Sequence, residues 1–313
     1  MSSSTSMMGY DYQAMVFWKY ANQMLRRESE IEAIGYEYQD IKSFDDIVIM
    51  YKVGKKFRKD FVERDYIQVK YHMAQTDYIT LDALLNPGFV GARKYSFMDK
   101  VVLAYKQKKE KFNKYRLILY TTWNIKQEDP LEELLDNEYG AFRLDKLFDG
   151  TDDSKMGKIR KKFRDKLQID DNTLYIVLKQ VCIRSGSEKV EKLEEDLNRE
   201  FYYNKLKVCS NASIANQYIG MIRGWVYAEK DRLKKTDILE QCKRENLIVT
   251  EKREELITIR SFPSMIEERA AALLDFVSYF EGRYLKDEYL WRDLGNEIVE
   301  FVKNNIQSEK NII

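Results

Sequence analysis

The sequence of 313 residues is poor in the residues that build metal centres and disulfides, with one histidine and three cysteines. His72 alone cannot form a histidine-type zinc site, and Cys182, Cys209 and Cys242 match neither a disulfide framework nor the CxxC spacing of metal sites. We therefore expect buried, reduced thiols. No apolar stretch approaches the roughly 18 residues of a transmembrane helix, and the start, MSSSTSMMGYDYQ, is unlike a signal peptide. These absences predict a soluble cytoplasmic protein without a membrane partner.

The sequence also lacks an excess of charge of one sign, because 53 basic residues face 52 acidic ones. No global positive field indicates a nucleic-acid partner, so a DNA-binding surface would have to be a local basic patch. The hydrophobic content of 44% is sufficient for substantial cores. The length favours two or three structural units.

The order of the periodic segments predicts a mixed α/β fold. Apolar residues recur at helical spacing from Tyr10 to about Arg27, and three strand-like runs follow: IEAIGYEYQDI, DDIVIMYKV and RDYIQVKYH. A helix over 96–112 and a buried strand over 115–122 come next. An antiparallel set of strands followed by a helical crossover predicts a mixed sheet flanked by helices. From about residue 123 onward the pattern is mostly helical.

Polar residues at the ends of two of these strands form a candidate site. Gln68, Lys70 and His72 share one face of their strand, because side chains alternate along a strand, and Asp46 lies on the neighbouring strand. Glu37 ends the preceding strand and could reach the same place. A carboxylate, an amide oxygen and an ammonium suit a divalent cation and phosphodiester hydrolysis. The spacing alone also fits turn aspartates and a solvated edge lysine.

In its order of elements and in these residues, the sequence resembles the restriction-endonuclease-like fold of the PD-(D/E)xK nuclease superfamily. That fold carries an acidic residue on its second strand and (D/E/Q)-x-Lys on its third. More closely, GYDYQ at 9–13, YEYQDIKSFDDIVI at 36–49 and IQVKYH at 67–72 resemble the nuclease domain of DNA endonuclease effectors of bacterial CBASS anti-phage systems. In those effectors a C-terminal SAVED domain senses cyclic oligonucleotides.

The resemblance implies a role for each residue of the site. Asp46 becomes the metal ligand, Gln68 a second ligand, Lys70 the catalytic lysine and Glu37 an auxiliary acidic ligand, while Gln13 of the first helix lines the pocket. The implied cofactor is Mg²⁺ or Mn²⁺, and the implied substrate is double-stranded DNA. Asp45 competes with Asp46 for the ligand role, because a one-residue slip in register exchanges the faces of a strand.

Three further features are candidates for substrate contact. His72 could contact a phosphate, or it could simply fill space with a hydrogen bond. The predicted hairpin tip, YKVGKKFRKDF at 51–61, could grip a duplex backbone or be a solvated turn; its candidate residues are Lys55, Lys56, Arg58 and Lys59. The helix over 158–166 is a second candidate for DNA contact, with Arg160 expected on its exposed face beside the lysines.

We divide the chain into a nuclease core at 1–125, a mostly helical region completing the nuclease domain at 126–258, and a helical start of a SAVED-like domain at 259–313. Residues 273–302 resemble the opening helices of a SAVED domain, and the sequence ends without the strands such a domain needs. We therefore expect cyclic-oligonucleotide sensing from a missing C-terminal part or from a partner protein.

Two functions follow from these observations. The first is a metal-dependent DNA endonuclease, an effector of anti-phage defence that is activated by a signal or by homo-oligomerisation. The second is a non-catalytic module that binds nucleic acid or a protein through a nuclease-like core.

Overall fold

The computed structural model describes residues 3–41, 44–71, 78–209 and 212–249. For residues 3–7 and 212–214 it describes the backbone only. These residues belong to one unit, Met1–Val249, and Thr250–Ile313 form a second unit. The predicted SAVED-like start at 259–313 and His72 lie outside the described residues. No helix within the described ranges is long and apolar enough to cross a membrane.

The described residues form six strands, ten α-helices and two short 3₁₀ helices. The strands are β1 (Ile31–Tyr36), β2 (Ile47–Phe57), β3 (Asp60–Lys70), β4 (Tyr115–Thr121), β5 (Val181–Arg184) and β6 (Leu233–Lys234). The α-helices are α1 (Ser3–Leu25), α2 (Leu81–Leu84), α3 (Phe97–Gln107), α4 (Pro130–Leu134), α5 (Leu144–Leu147), α6 (Lys155–Leu167), α7 (Asp171–Lys179), α8 (Val190–Tyr203), α9 (Ala212–Tyr227) and α10 (Lys235–Arg244). The 3₁₀ helices are Pro87–Val90 and Lys109–Lys114.

The strands form one mixed sheet in the order β5-β4-β3-β2-β1-β6. Pairing is antiparallel from β3 through β2 and β1 to β6, and parallel from β3 through β4 to β5. The α3 crossover returns the chain so that β4 lies parallel to β3. The predicted α/β class, with its mixed sheet and flanking helices, is confirmed.

Strands β5 and β6 lie in the region that the sequence predicts to be mostly helical. They contain four and two residues, too few for a periodic pattern to distinguish a strand from the surrounding helices. Both are placed by long-range pairing, β5 beside β4 and β6 beside β1. Residues after 126 therefore contribute both edges of the sheet.

Each face of the sheet is covered by its own hydrophobic core. Along β2, Ile47, Ile49 and Tyr51 face a core that includes α1, α8, α9 and α10. Val48 and Met50 face the other core, which includes α3, α6 and α7. The period of two along the strand thus places alternate residues in different cores.

On α6, the expected exposure of Arg160 is wrong. Its side chain is buried and donates hydrogen bonds to the main-chain carbonyls of Leu147, Asp149 and Gly150. The planar guanidinium thereby supplies several donors to one bend of the backbone. Lys158, Lys161 and Lys166 of the same helix are exposed, as expected.

A capping box starts α3 and fixes the position of its first turn. The Ser96 hydroxyl accepts a hydrogen bond from the Asp99 N–H at 3.1 Å, and the Asp99 carboxylate accepts one from the Ser96 N–H at 2.8 Å. Phe97, Met98 and Val101 then bury the helix against the sheet. Lys100 is held in this first turn, at the carboxyl end of β3.

Candidate active site

The antiparallel register of β2 and β3 brings Asp46 beside Gln68. Ile47 pairs with Ile67, so the preceding and following residues are neighbours at the sheet end. Asp46 Oδ2 accepts a hydrogen bond from Gln68 Nε2 at 2.9 Å and another from the Val69 N–H at 2.7 Å. The Gln68 side chain is buried. This contact joins two of the residues that the sequence predicts for the site.

The two neighbouring aspartates occupy different places. The carboxylate of Asp46 makes the contacts with β3, whereas the main-chain carbonyl of Asp45 accepts a hydrogen bond from the Tyr38 N–H at 2.8 Å. Burial and the nearby carboxylate of Asp46 raise the pKa of Asp45. The contact with Gln68 therefore belongs to Asp46, and its role as a metal ligand stays a prediction.

Glu37 follows β1 directly opposite Asp46. Its N–H donates to the Asp46 carbonyl at 3.1 Å, and its backbone is left-handed, with φ of 49°. Partial burial, followed by the charges of Asp45 and Asp46, raises the pKa of Glu37. The charges of Asp45 and Asp46 thus act on Glu37 in the direction expected of like charges, which disfavour the ionised form.

Lys100 is a site residue that the sequence reasoning missed. Its Nζ donates a hydrogen bond of 2.6 Å to Gln68 Oε1. Burial and the like charge of half-buried Lys70 lower the pKa of Lys100, against the opposing effect of Asp46 and Asp45. A signal was present in the sequence, because a lysine in the first turn of a helix lies at the positive end of the helix dipole and is locally unfavourable. Residues that break a local rule often have a tertiary role.

The side chains fit a hard divalent cation in type, since carboxylate and amide oxygens are its usual ligands. The amide oxygen of Gln68, however, is turned toward Lys100, and its NH₂ is turned toward Asp46. In the described part of the chain, no three His, Cys, Asp or Glu side chains form a cluster suited to a metal. A metal site here would therefore need the Gln68 side chain to reorient.

Helix α1 passes beside the end of β1. Tyr10 of α1 packs edge-on against Tyr36, with 6.0 Å between ring centroids, and Tyr36 precedes Glu37. Gln13 lies one helical turn after Tyr10, and its Nε2 is buried without a hydrogen-bond partner in the described structure. A buried amide donor without a partner is costly, so its position is compatible with a ligand contact. The lining role of Gln13 stays a prediction.

The hairpin tip does not lie near Asp46. Strand β2 begins next to Asp46 and runs for 11 residues before the turn, and β3 runs back for 11. At roughly 3.3 Å per residue, the tip is about 30 Å from the site. A hairpin turn and its two free ends necessarily lie at opposite ends of the ladder. The structure therefore separates the predicted grip from the other site residues.

The cations of the hairpin tip also differ in their surroundings. Arg58 is ion-paired with Asp136 at 3.5 Å and donates a hydrogen bond to the Phe142 carbonyl. Lys55 is half-buried, with its Nζ 5.4 Å from the centre of the Tyr51 ring. Lys56 and Lys59 are exposed. These two lysines are therefore better placed for an external phosphate than Arg58.

No protein-family model matches the chain. The chain is 30% identical to CD-NTase-associated protein 4 of Enterobacter hormaechei subsp. hoffmannii (strain UCI 50). The alignment covers 315 positions, 97% of this chain and 62% of CD-NTase-associated protein 4. The two proteins are distant homologues. Their similarity extends through the sheet, the helical region and the residues that follow, whereas this chain spans about three fifths of the length of CD-NTase-associated protein 4.

Proposed function

We propose that this protein is a metal-dependent endonuclease that hydrolyses phosphodiester bonds of double-stranded DNA in bacterial anti-phage defence. The supporting observation is the contact between Asp46 and Gln68 at adjacent strand ends, with Lys70 on the same strand face as Gln68. A carboxylate, a carboxamide and two lysines at the ends of the central strands β2 and β3 are suited to a phosphodiester substrate.

The assignment to defence is supported by the similarity to CD-NTase-associated protein 4, which covers 97% of the chain. The name of that relative associates it with a CD-NTase. The resemblance of residues 9–13, 36–49 and 67–72 to the nuclease domain of CBASS effectors points to the same kind of system. An unrestrained nuclease would destroy its host, so we also propose that a signal or homo-oligomerisation activates the protein.

Each residue of the site has a distinct role in the proposed reaction. Asp46, Gln68 and Glu37 would hold Mg²⁺ or Mn²⁺, which when bound polarises the phosphate and lowers the pKa of a water molecule. Lys70 stabilises the negative charge that develops on the phosphoryl oxygens and helps to orient the water. The buried amide of Gln13 offers a hydrogen-bond donor to the substrate.

Cleavage of plasmid DNA in Mg²⁺ or Mn²⁺, with and without cyclic oligonucleotides, tests the proposal. We expect Lys70→Ala and Asp46→Asn each to reduce the rate by roughly 100-fold or more. Lys70→Ala removes a charge that stabilises the transition state, and Asp46→Asn removes the charge of a proposed metal ligand. Lys106→Ala, an exposed position on α3, is the control and should cleave like the wild type.

DNA binding separates the proposed function from the non-catalytic module. A wild type that binds duplex DNA as tightly as Lys70→Ala does, and that cuts under none of the added signals, contradicts the nuclease proposal and supports the binding module. Circular dichroism of each variant confirms that lost cleavage reflects lost chemistry.

A further inference from the structure

The carboxamide of Gln68 is held at both ends by partners that fix its orientation. Its Nε2 donates to Asp46 Oδ2 at 2.9 Å, and its Oε1 accepts from Lys100 Nζ at 2.6 Å. A carboxylate can only accept hydrogen bonds and an ammonium can only donate them. Reversing the amide would therefore set an NH₂ against an ammonium and an oxygen against a carboxylate.

This orientation conflicts with shared metal binding by Asp46 and Gln68. A divalent cation between the two side chains needs oxygen from both of them. In the structure, the side of Gln68 that faces Asp46 is the NH₂ group, which cannot bind a cation. The oxygen becomes available toward Asp46 only when the amide turns over, and the turned amide is compatible only with a displaced Lys100.

The placement of Lys100 is itself well defined. The capping box of Ser96 and Asp99 fixes the first turn of α3, and the buried side chains of Phe97 and Val101 anchor it. The ammonium supplies positive charge to the end of β3, where Gln68 lies. A glutamate in place of Gln68 would present oxygen in either orientation, so the conflict is specific to glutamine.

We propose that Lys100 is a positioning residue that keeps the Gln68 carboxamide turned away from its metal-binding orientation, so that the site accepts a divalent cation only when Lys100 leaves Gln68. This inference rests on the proposed metal-dependent function. Lys100 thereby limits metal loading of the resting protein, and it acts through Gln68 rather than on the substrate.

Mn²⁺ titration of the full chain without DNA, followed by the electron paramagnetic resonance signal of free Mn²⁺, tests this role. We expect Lys100→Met to bind Mn²⁺ roughly tenfold more tightly than a Lys70→Met control. Both variants lose one positive charge, but only Lys100→Met also loses the charged hydrogen bond that holds Gln68 Oε1. Lys70→Met removes the same charge from the same site without releasing Gln68. Lys100→Arg keeps a charged donor and should stay near the wild-type affinity.

The same comparison in a Gln68→Glu background isolates the orientation effect. There we expect Lys100→Met and Lys70→Met to tighten Mn²⁺ binding equally, because both terminal atoms of a carboxylate are oxygens and either can bind a cation. If Lys100→Met has a markedly lower melting temperature than the wild type, Lys100→Gln replaces it in both backgrounds. A second carboxamide can form a hydrogen bond with either end of Gln68.

Three results would overturn the inference. The first is an equal change in Mn²⁺ affinity for Lys100→Met and Lys70→Met when Gln68 is present. The others are a larger gain in affinity for Lys100→Met that persists in the Gln68→Glu background, and a Lys100→Met protein that binds no Mn²⁺. A DNA-cleaving wild type with equal lysine effects would refute only the role of Lys100. The expected Mn²⁺ pattern in a protein that cuts no DNA would refute only the nuclease.

Discussion

Asp65 and Arg116 form an ion pair in the interior of the protein, where each residue is 1% exposed. Arg116 Nε donates to Asp65 Oδ1 at 2.8 Å, and the Tyr51 hydroxyl donates to Asp65 Oδ2 at 2.6 Å. Charges are tolerated in such a place only when partners replace the lost water. The parallel register of β3 and β4 sets this pair directly opposite one another.

Removal of one member of the Asp65–Arg116 pair should therefore greatly reduce the stability of the folded protein. We expect Arg116→Met to reduce the free energy of unfolding by about 3–5 kcal/mol, because the Asp65 carboxylate remains buried without its counter-ion. Urea denaturation measures the effect. Lys114→Met, at the half-exposed pair with Glu63, is the control and should cost less than about 1 kcal/mol. Similar losses in the two variants would contradict this account.

Helix α1 is joined to β4 and to the segment before α8 by hydrogen bonds to Glu188. Lys19 Nζ and the Tyr120 hydroxyl each donate to its carboxylate at 2.6 Å, and the Tyr12 hydroxyl donates to its main-chain carbonyl at 2.7 Å. Burial alone would raise the pKa of Glu188, but the hydrogen bonds from Lys19 and Tyr120 lower it to about 2. The network fixes the helix that carries Gln13 against the sheet.

This network should make stability depend on pH. A lowered folded-state pKa contributes stability that is complete above about 4.5, the ordinary value, and that is lost as pH falls toward about 2. With allowance for partial exposure, we expect about 2 kcal/mol from this group. In urea unfolding at pH 6 and pH 3, Glu188→Gln should lose less stability on acidification than the wild type. An equal loss in both would exclude the network as the source, and exposed Glu194→Gln is the matched control.

At the scale of the whole molecule, the sheet separates the candidate site from the exposed lysines of the hairpin tip by about 30 Å. One turn of B-form DNA spans roughly 34 Å. A duplex lying along β2 and β3 would therefore meet the two places about one turn apart. Under the proposed function, this arrangement would assign DNA positioning to the tip and hydrolysis to the strand ends.

We expect Lys56→Ala/Lys59→Ala to weaken duplex binding and to leave cleavage at saturating DNA unchanged. Each lost phosphate contact should reduce the slope of log affinity against log salt by about 0.9. Fluorescence anisotropy of a labelled duplex across KCl concentrations measures this slope. Lys230→Ala/Lys243→Ala removes two exposed lysines elsewhere and should leave it unchanged. If the two double variants have equal slopes, the tip is not a DNA contact.

The core order of elements was predictable because each element has a local pattern. The period of α1 and α3, and the alternation along β2 and β3, are set by neighbouring residues in the chain. The same alternation predicted that Gln68 and Lys70 share a face. In contrast, β5 and β6 are too short to carry a pattern, and their pairing partners are distant in sequence.

By itself, the sequence determined the mixed α/β class and the hairpin of β2 and β3, because these follow from periodicity. It left Asp45 and Asp46 open, and the register of the folded sheet decided that Asp46 contacts Gln68. Only the tertiary structure decided that Lys100 contacts Gln68 and that the amide oxygen of Gln68 points away from Asp46. It also decided that Arg58 forms an ion pair with Asp136. These contacts depend on how α3 and the loop near Asp136 pack against the sheet. Packing of residues that are distant in the chain leaves no periodic signal in the sequence.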